Sequence, residues 1–350
     1  MKIAVDAMGG DHGPAVVVEG AVAAVREFGS SVILVGDREA IEHEVRRLGA
    51  ESLGLEIRHA SEIVGMAESP SLALRRKRDS SMRISAELVR DGKAAAFISA
   101  GNTGAAMAIS MFVIGVLRGI DRPAIAAVLP SLRGFTVLID AGANITPKPW
   151  HLFQFAIMGN VYARDILGLE RPRVGLLSVG EEEGKGNDLT REAYDLLKES
   201  RMNFIGNIEG RDIYNGNCDV IVTDGFTGNV ALKISESLAE MVGAMIKEEL
   251  TRDLRSKVGA ALSTPAITRF RKRVDYTEFG GAPLLGINGA CIISHGASPP
   301  RAVKNAIRVA AEWVRTDVNA HIRAALVGEL GRSLRARPDD KTTSSSPPPS

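Results

Sequence analysis

The sequence predicts an α/β protein: a three-layer α/β/α sandwich around a mostly parallel sheet, with a protruding helical hairpin. Three observations predict it. Short β-branched runs alternate with helical stretches, several of those runs are apolar throughout, and small polar loops follow the strands.

The strand runs are Lys2 to Asp6, Ser31 to Gly36, Ala94 to Ser99, Thr136 to Asp140, Arg173 to Val179 and Asp219 to Thr223. Continuous apolarity marks strands covered by helices on both faces. Helical periodicity is clearest in Ala15 to Phe28, Leu189 to Glu199, Ala231 to Leu250 and Arg301 to Leu326. Gly104 to Leu117 is apolar but shorter than the roughly 20 residues that span a bilayer, so it reads as a buried helix. From Arg332 the chain turns to Arg-Pro-Asp-Asp-Lys and then Ser and Pro, a composition that predicts a disordered tail over 332–350. Neither an internal repeat nor a linker divides the rest, so residues 1–331 read as a single domain, with the hairpin at about 235–275.

Of the 350 residues, 45% are hydrophobic, enough for a large core. Lys and Arg number 43 against 42 Asp and Glu, a net charge of +1, so no overall field recruits nucleic acid and an anionic partner must meet a local patch. Asp6 interrupts any signal-peptide apolar region, which predicts a cytoplasmic protein. Cys218 and Cys291 lie in apolar runs at no metal spacing and read as core residues. No two histidines pair at metal-ligand spacing, so no metal is expected, and no cofactor is expected either.

The loops carry the chemistry. Asp6-Ala7-Met8-Gly9-Gly10-Asp11-His12, Ser99-Ala100-Gly101-Asn102-Thr103-Gly104 and Thr223-Asp224-Gly225-Phe226-Thr227-Gly228-Asn229 each follow a strand. Parallel strands would bring these carboxyl ends to one crevice, where exposed backbone N–H groups attract a phosphate. No G-x-G-x-x-G follows the first strand, and Gly180 to Gly186 lacks P-loop spacing, so a nucleotide site is disfavoured. Lys185 stands between Gly184 and Gly186 beside three acids, where it is either a salt-bridged surface cation or a charge that meets a ligand. His12 and His295 stand where a ligand could be met.

At these residues the sequence resembles the PlsX family of acyl-acyl carrier protein:phosphate acyltransferases. The matching runs are Val5 to Asp11, Pro70 to Arg75 with Asp79 to Met82, Ser99 to Gly104, Gly142 to Asn144, Gly180 to Asn187, Gly206 to Asp212, Asp224 to Val230, Gly280 to Gly286 and Ile293 to Gly296, over about residues 1–328. Two departures from the family pattern are Ala141, where a β-branched or larger residue is commoner, and Ser178, where an Asn is common. The resemblance implies an isopropylmalate dehydrogenase-like and phosphotransacetylase-like fold, a homodimer and peripheral contact with the membrane. It also implies transfer of a fatty acyl group from acyl carrier protein to inorganic phosphate, giving acyl phosphate for phospholipid synthesis. Lys185 and Asn229 become candidate catalytic residues. Asp6, His12, Ser99, Asn102, Thr103, Gly104, Asn144, Asn187, Thr227 and Gly228 become candidate binding residues for phosphate or the thioester.

One basic segment stands apart. Arg252 to Arg273 holds seven basic residues and one acid, with Leu254, Val258, Leu262 and Ile267 about one helical turn apart and Ser263-Thr264-Pro265 read as the turn between two helices. Either these apolar positions bury in a dimer core, or the tip meets acidic carrier protein through its arginines and anionic lipid through both its charge and its apolar residues, with Leu254, Val258, Leu262, Ile267, Arg269, Arg271 and Lys272 as the contact set. A decarboxylating dehydrogenase and a non-enzymatic membrane scaffold are the rival classes. The first needs an aspartate metal cluster, and the second leaves the strand-end loops without a task.

Overall fold

A computed structural model describes residues 1–274 and 280–333 of the protein. The chain begins with β1 (Lys2–Asp6), α1 (Gly13–Phe28), β2 (Ser31–Gly36), α2 (Arg38–Arg47), β3 (Glu56–His59), α3 (Pro70–Arg76), α4 (Ser81–Arg90), β4 (Ala96–Ser99) and α5 (Thr103–Ile109). It continues through β5 (Ala124–Ser131), β6 (Gly134–Ile139), α6 (Pro149–Asp165), β7 (Arg173–Leu177), α7 (Asp188–Lys198), β8 (Asn203–Ile208), α8 (Asp212–Asn215) and β9 (Val220–Val222). Then come α9 (Gly225–Thr251), α10 (Leu254–Val274), β10 (Ala282–Leu285), β11 (Ala290–Ile293), α11 (Pro300–Arg315) and α12 (Val318–Ser333).

The 11 strands among the described residues form one sheet in the order β3-β2-β1-β4-β11-β10-β5-β6-β9-β7-β8. Side chains alternate between its faces. Ile3 and Val5 join an apolar cluster with α1, α2, α6 and α11, whereas Ala4 joins one with α4 and α5 on the other face. Burial on both faces is what the uniformly apolar strand runs require.

The sheet is not one parallel array. β10 is antiparallel to both β11 and β5, and β5 to β6, so β3-β2-β1-β4-β11 and β6-β9-β7-β8 are parallel groups running in opposite directions. Register brings their carboxyl ends together nevertheless. Ser99 at the end of β4 is level with Ile293 and so with Ala282; two residues on, Leu284 is level with Ile125, whose successor Ala126 is level with Ile139 at the end of β6. The two strand ends therefore differ in height by one residue, about 3.3 Å, and approach one cleft from opposite directions.

Three helical expectations are corrected. The hairpin begins at Gly225, and its turn falls at Arg252-Asp253, where the Asp253 carboxylate accepts from the Ser256 amide at 2.8 Å and starts α10; Pro265 lies inside that helix. The expected helix from Arg301 to Leu326 is two helices, broken where Asp317 adopts a φ of 50°. The apolar run from Gly104 is helical only to Ile114, its last five residues in a wider turn, and ends at Gly115 with a φ of 88°. The tail expected from Arg332 lies outside the described residues, apart from the end of α12.

Candidate active site

Between the two carboxyl ends opens a cleft of about 290 Å³ lined by Thr103, Gly104, Met107, Ile125, Ala141, Gly142, Asn229 and Lys233. The start of α5 supplies Thr103, Gly104 and Met107, β5 supplies Ile125, the loop after β6 supplies Ala141 and Gly142, and the first turns of α9 supply Asn229 and Lys233. None of the lining residues is acidic.

The loop after β6 is built around Asp140. Its buried carboxylate accepts from the backbone amides of Ile125 (3.0 Å), Gly142 (3.1 Å), Ala143 (2.9 Å) and Asn144 (2.6 Å), and from the Asn144 side-chain amide (2.8 Å). Burial raises the Asp140 carboxyl, with these bonds only partly opposing it. The Asn144 amide also donates to the Pro123 carbonyl at 2.8 Å, so its protons are committed to the scaffold. The first turn of α9 docks onto this loop. A Cβ on Gly228 would lie 1.9 Å from the Asp140 carbonyl oxygen and one on Gly225 would lie 2.7 Å from the Asn144 backbone, so only glycine allows the approach.

Caps occupy much of the rest. Asp224 starts α9 by accepting from the amides of Phe226 (3.0 Å) and Thr227 (2.9 Å), and it takes the Thr227 hydroxyl at 2.7 Å. Asn102 starts α5 by accepting from the Ala105 amide at 3.0 Å, while its own amide donates to the carbonyls of Gly65, Met66 and Glu68 at 3.3, 2.9 and 2.8 Å. Behind it, the Ser99 hydroxyl donates to buried Asp6 at 2.7 Å and accepts from the Gly101 amide at 3.0 Å. Burial raises the Asp6 carboxyl, with hydrogen bonds from Ser81 and Ser99 opposing it. Asp6, Ser99, Asn102, Asn144, Thr227 and Gly228 thus shape the cleft without lining it.

Free donors remain at its surface. Among the described residues, no hydrogen bond engages the amides of Thr103 and Gly104, the Asn229 side chain or the Lys233 ammonium, and all four belong to lining residues. Met107, Ile125 and Ala141 give the cleft an apolar wall. Backbone N–H groups, a carboxamide and a cation facing a space without carboxylates suit an anion that bears an apolar neighbour.

Lys185, Asn187 and His12 do not line this cleft. Asn187 caps α7 by accepting from the Thr190 amide at 2.9 Å, and His12 is exposed just before α1. Lys185 is exposed on the loop after β7. Of its acidic neighbours, Glu181 pairs with Arg211 at 2.6 Å and Glu183 with Lys198 at 2.5 Å, and no ion pair among the described residues engages Lys185 itself. Beneath that loop the hydroxyl of Ser178 and the side-chain oxygen of Asn207 are buried without a partner among the described residues.

Lys233 escaped the sequence reading. Its position one helical turn after Asn229 was the available signal, because residues four apart share a helix face. Both cysteines are buried, which pushes their thiols up to about 12 and leaves them poor nucleophiles. Among the described residues, no group of three His, Cys, Asp or Glu could hold a metal, and no helix is long and apolar enough to cross a membrane.

Known proteins resemble this arrangement over nearly its whole length. A family model described as fatty acid synthesis protein matches residues 1–321. A phosphate acyltransferase of Geotalea daltonii is 55% identical over 322 residues, covering 92% of this chain and 93% of the relative. One from Geobacter sulfurreducens is 55% identical over 330 residues, covering 94% and 95%. Among solved structures, a phosphotransacetylase from Streptococcus pyogenes superposes with a TM-score of 0.64 at 18% identity, over 90% of this chain and 94% of that one. The EutD phosphotransacetylase from Staphylococcus aureus gives 0.60 at 16%, with the same coverage. These two establish likeness of fold.

Proposed function

The chain belongs to the fatty acid synthesis protein family, the PlsX phosphate acyltransferases, and from that membership we propose that its central cleft is where inorganic phosphate attacks the thioester of acyl-acyl carrier protein. The protein is an acyltransferase that makes acyl phosphate for phospholipid synthesis. The observation that carries the site assignment is the cleft's set of uncommitted donors with no carboxylate among its lining residues.

Hydrogen phosphate is already a nucleophile at neutral pH, so the reaction needs positioning and stabilisation of the developing oxyanion rather than a protein nucleophile. A phosphate oxygen bonds to the acyl carbon, the carbon–sulfur bond breaks, and the proton of hydrogen phosphate ends on the departing thiol. The Thr103 and Gly104 amides and Lys233 are suited to hold the phosphate, and Asn229 to stabilise the oxyanion. Lys185, on the loop after β7 beside β9, is the second cation of the scheme. Its uncommitted ammonium supports that role, and substrate must draw it toward the cleft.

The homodimer belongs to the same reading. Val230, Ile234, Leu238, Met241 and Met245 recur at three- and four-residue spacing along α9 and are 41, 62, 49, 52 and 59% exposed, a stripe that a second copy would cover. Toward the hairpin tip, Leu254, Val258 and Leu262 are 78, 54 and 80% exposed, which supports peripheral contact with an anionic membrane; Ile267 is half-buried and Arg269 exposed. The Arg271 and Lys272 side chains lie outside the described residues. Incubation with acyl carrier thioester and phosphate should yield acyl phosphate that hydroxylamine captures. Absence of that product would sink the reading.

A further inference from the structure

The β4 side of the cleft carries a surface that the catalytic scheme does not use. Asn102 ties the carbonyls of Gly65, Met66 and Glu68 to the start of α5, and a Cβ on Gly104 would lie 2.8 Å from Pro70, the first residue of α3. Helix α3 is therefore fixed to the cleft's rim. Leu72, Arg75 and Arg76 share one face of it by their three- and four-residue spacing. Arg75, Arg76 and the following Arg78 are exposed and form no ion pair among the described residues, whereas Lys77 is held by Glu68 at 2.7 Å. Around them Ile63, Met66 and Leu72 are 46, 48 and 45% exposed.

Free arginines interleaved with exposed Met, Leu and Ile have the composition of a protein-docking surface. The chain's net charge is +1, so this cationic run is local. Guanidinium groups pair bidentately with carboxylates, which selects an acidic partner. Its place on the cleft's rim selects a partner whose reactive group must reach the phosphate held at Thr103 and Gly104.

We propose that the α3 surface, with Arg75, Arg76, Arg78 and Leu72 at its centre, docks the acidic carrier protein that delivers the acyl thioester. This rests on the reading of the donor as a carrier-bound thioester, and it moves the carrier's contact from the hairpin arginines to α3. Lipid contact stays with the hairpin.

The test compares Arg75→Glu/Arg76→Glu and the milder Arg75→Ala/Arg76→Ala with the wild-type protein. Acyl phosphate formation is measured against carrier thioester, phosphate and salt concentration, and vesicle co-sedimentation is run in parallel. The expected result is a KM for the carrier thioester raised about tenfold by charge reversal and less by alanine, with weakened salt dependence and unchanged phosphate KM, Tm and vesicle binding. An unchanged carrier KM overturns the proposal. So does a matching rise in phosphate KM or a fall in Tm in both variants, which makes the arginines structural, or loss of vesicle binding with the carrier KM intact, which gives the surface to lipid. If the wild-type protein makes no acyl phosphate from carrier thioester, the catalytic reading itself fails.

Discussion

The loops after β6 and β7 both follow a strand with polar, glycine-bearing sequence, yet they are physical opposites. After β6, Asp140 gathers five hydrogen bonds and Asn144 gives its protons to Asp140 and Pro123, so the segment is a rigid wall. After β7, Glu181 and Glu183 pair outward with Arg211 and Lys198, and among the described residues Lys185 is left without an ion pair and two buried polar atoms beneath the loop lack partners. Polar residues at strand ends thus divide into those that build the site and those free to meet a ligand. The division depends on what each side chain already bonds.

The largest effect should come from the wall. Asp140→Ala leaves four backbone amides without their acceptor, each costing about 1–3 kcal/mol when buried, so urea denaturation should show a loss of several kcal/mol or no folded protein at all. A variant as stable as the wild type would dissolve the distinction between the two loops.

The next effect sharpens the other side. Lys185→Ala should lower turnover by roughly 10²-fold, the scale of one lost transition-state contact, with an unchanged Tm. Lys233→Ala should act mainly through a raised phosphate KM. Near-wild-type turnover in Lys185→Ala would remove that residue from the mechanism, and an unchanged phosphate KM in Lys233→Ala would do the same for its partner.

Much of this was legible in the sequence, and the gaps have physical causes. Central strands such as β1 and β9 announce themselves by continuous apolarity, because both faces are buried. Edge strands β3 and β8 do not: their residues are mostly half-buried or exposed, so Glu56–His59 carries no apolar run. The reversal of direction across β10, β5 and β6 is a matter of pairing, which periodicity cannot report. The hairpin turn was misread because Pro265 looks like punctuation, whereas the stronger signal was Asp253 as a helix start. Strand-end loops pointed to the cleft, but the commitment of Asn102 to three carbonyls brought together from residues 65–68 is invisible in spacing.

Smaller effects follow. Asn102→Ala removes a helix cap and the anchor of the 65–68 loop, so stability should fall by about 1–2 kcal/mol, with a loss of rate no larger than that destabilisation explains. A loss beyond 10²-fold at full stability would put Asn102 among the ligand-binding groups. Leu254→Glu with Leu262→Glu should abolish co-sedimentation with anionic vesicles while leaving activity on soluble thioester intact. Unchanged sedimentation with a weakened dimer would make the hairpin an interface between copies instead.

The central claim is that the cleft between the two oppositely running parallel groups is where acyl transfer occurs, with Asn229 its uncommitted amide. The direct measurement is acyl phosphate formation by Asn229→Ala, captured with hydroxylamine at saturating thioester and phosphate, alongside its melting temperature. The account predicts a fall in kcat of roughly 10²-fold or more at an unchanged Tm. A kcat within a few-fold of the wild type, or a loss that only follows a fall in Tm, would contradict it.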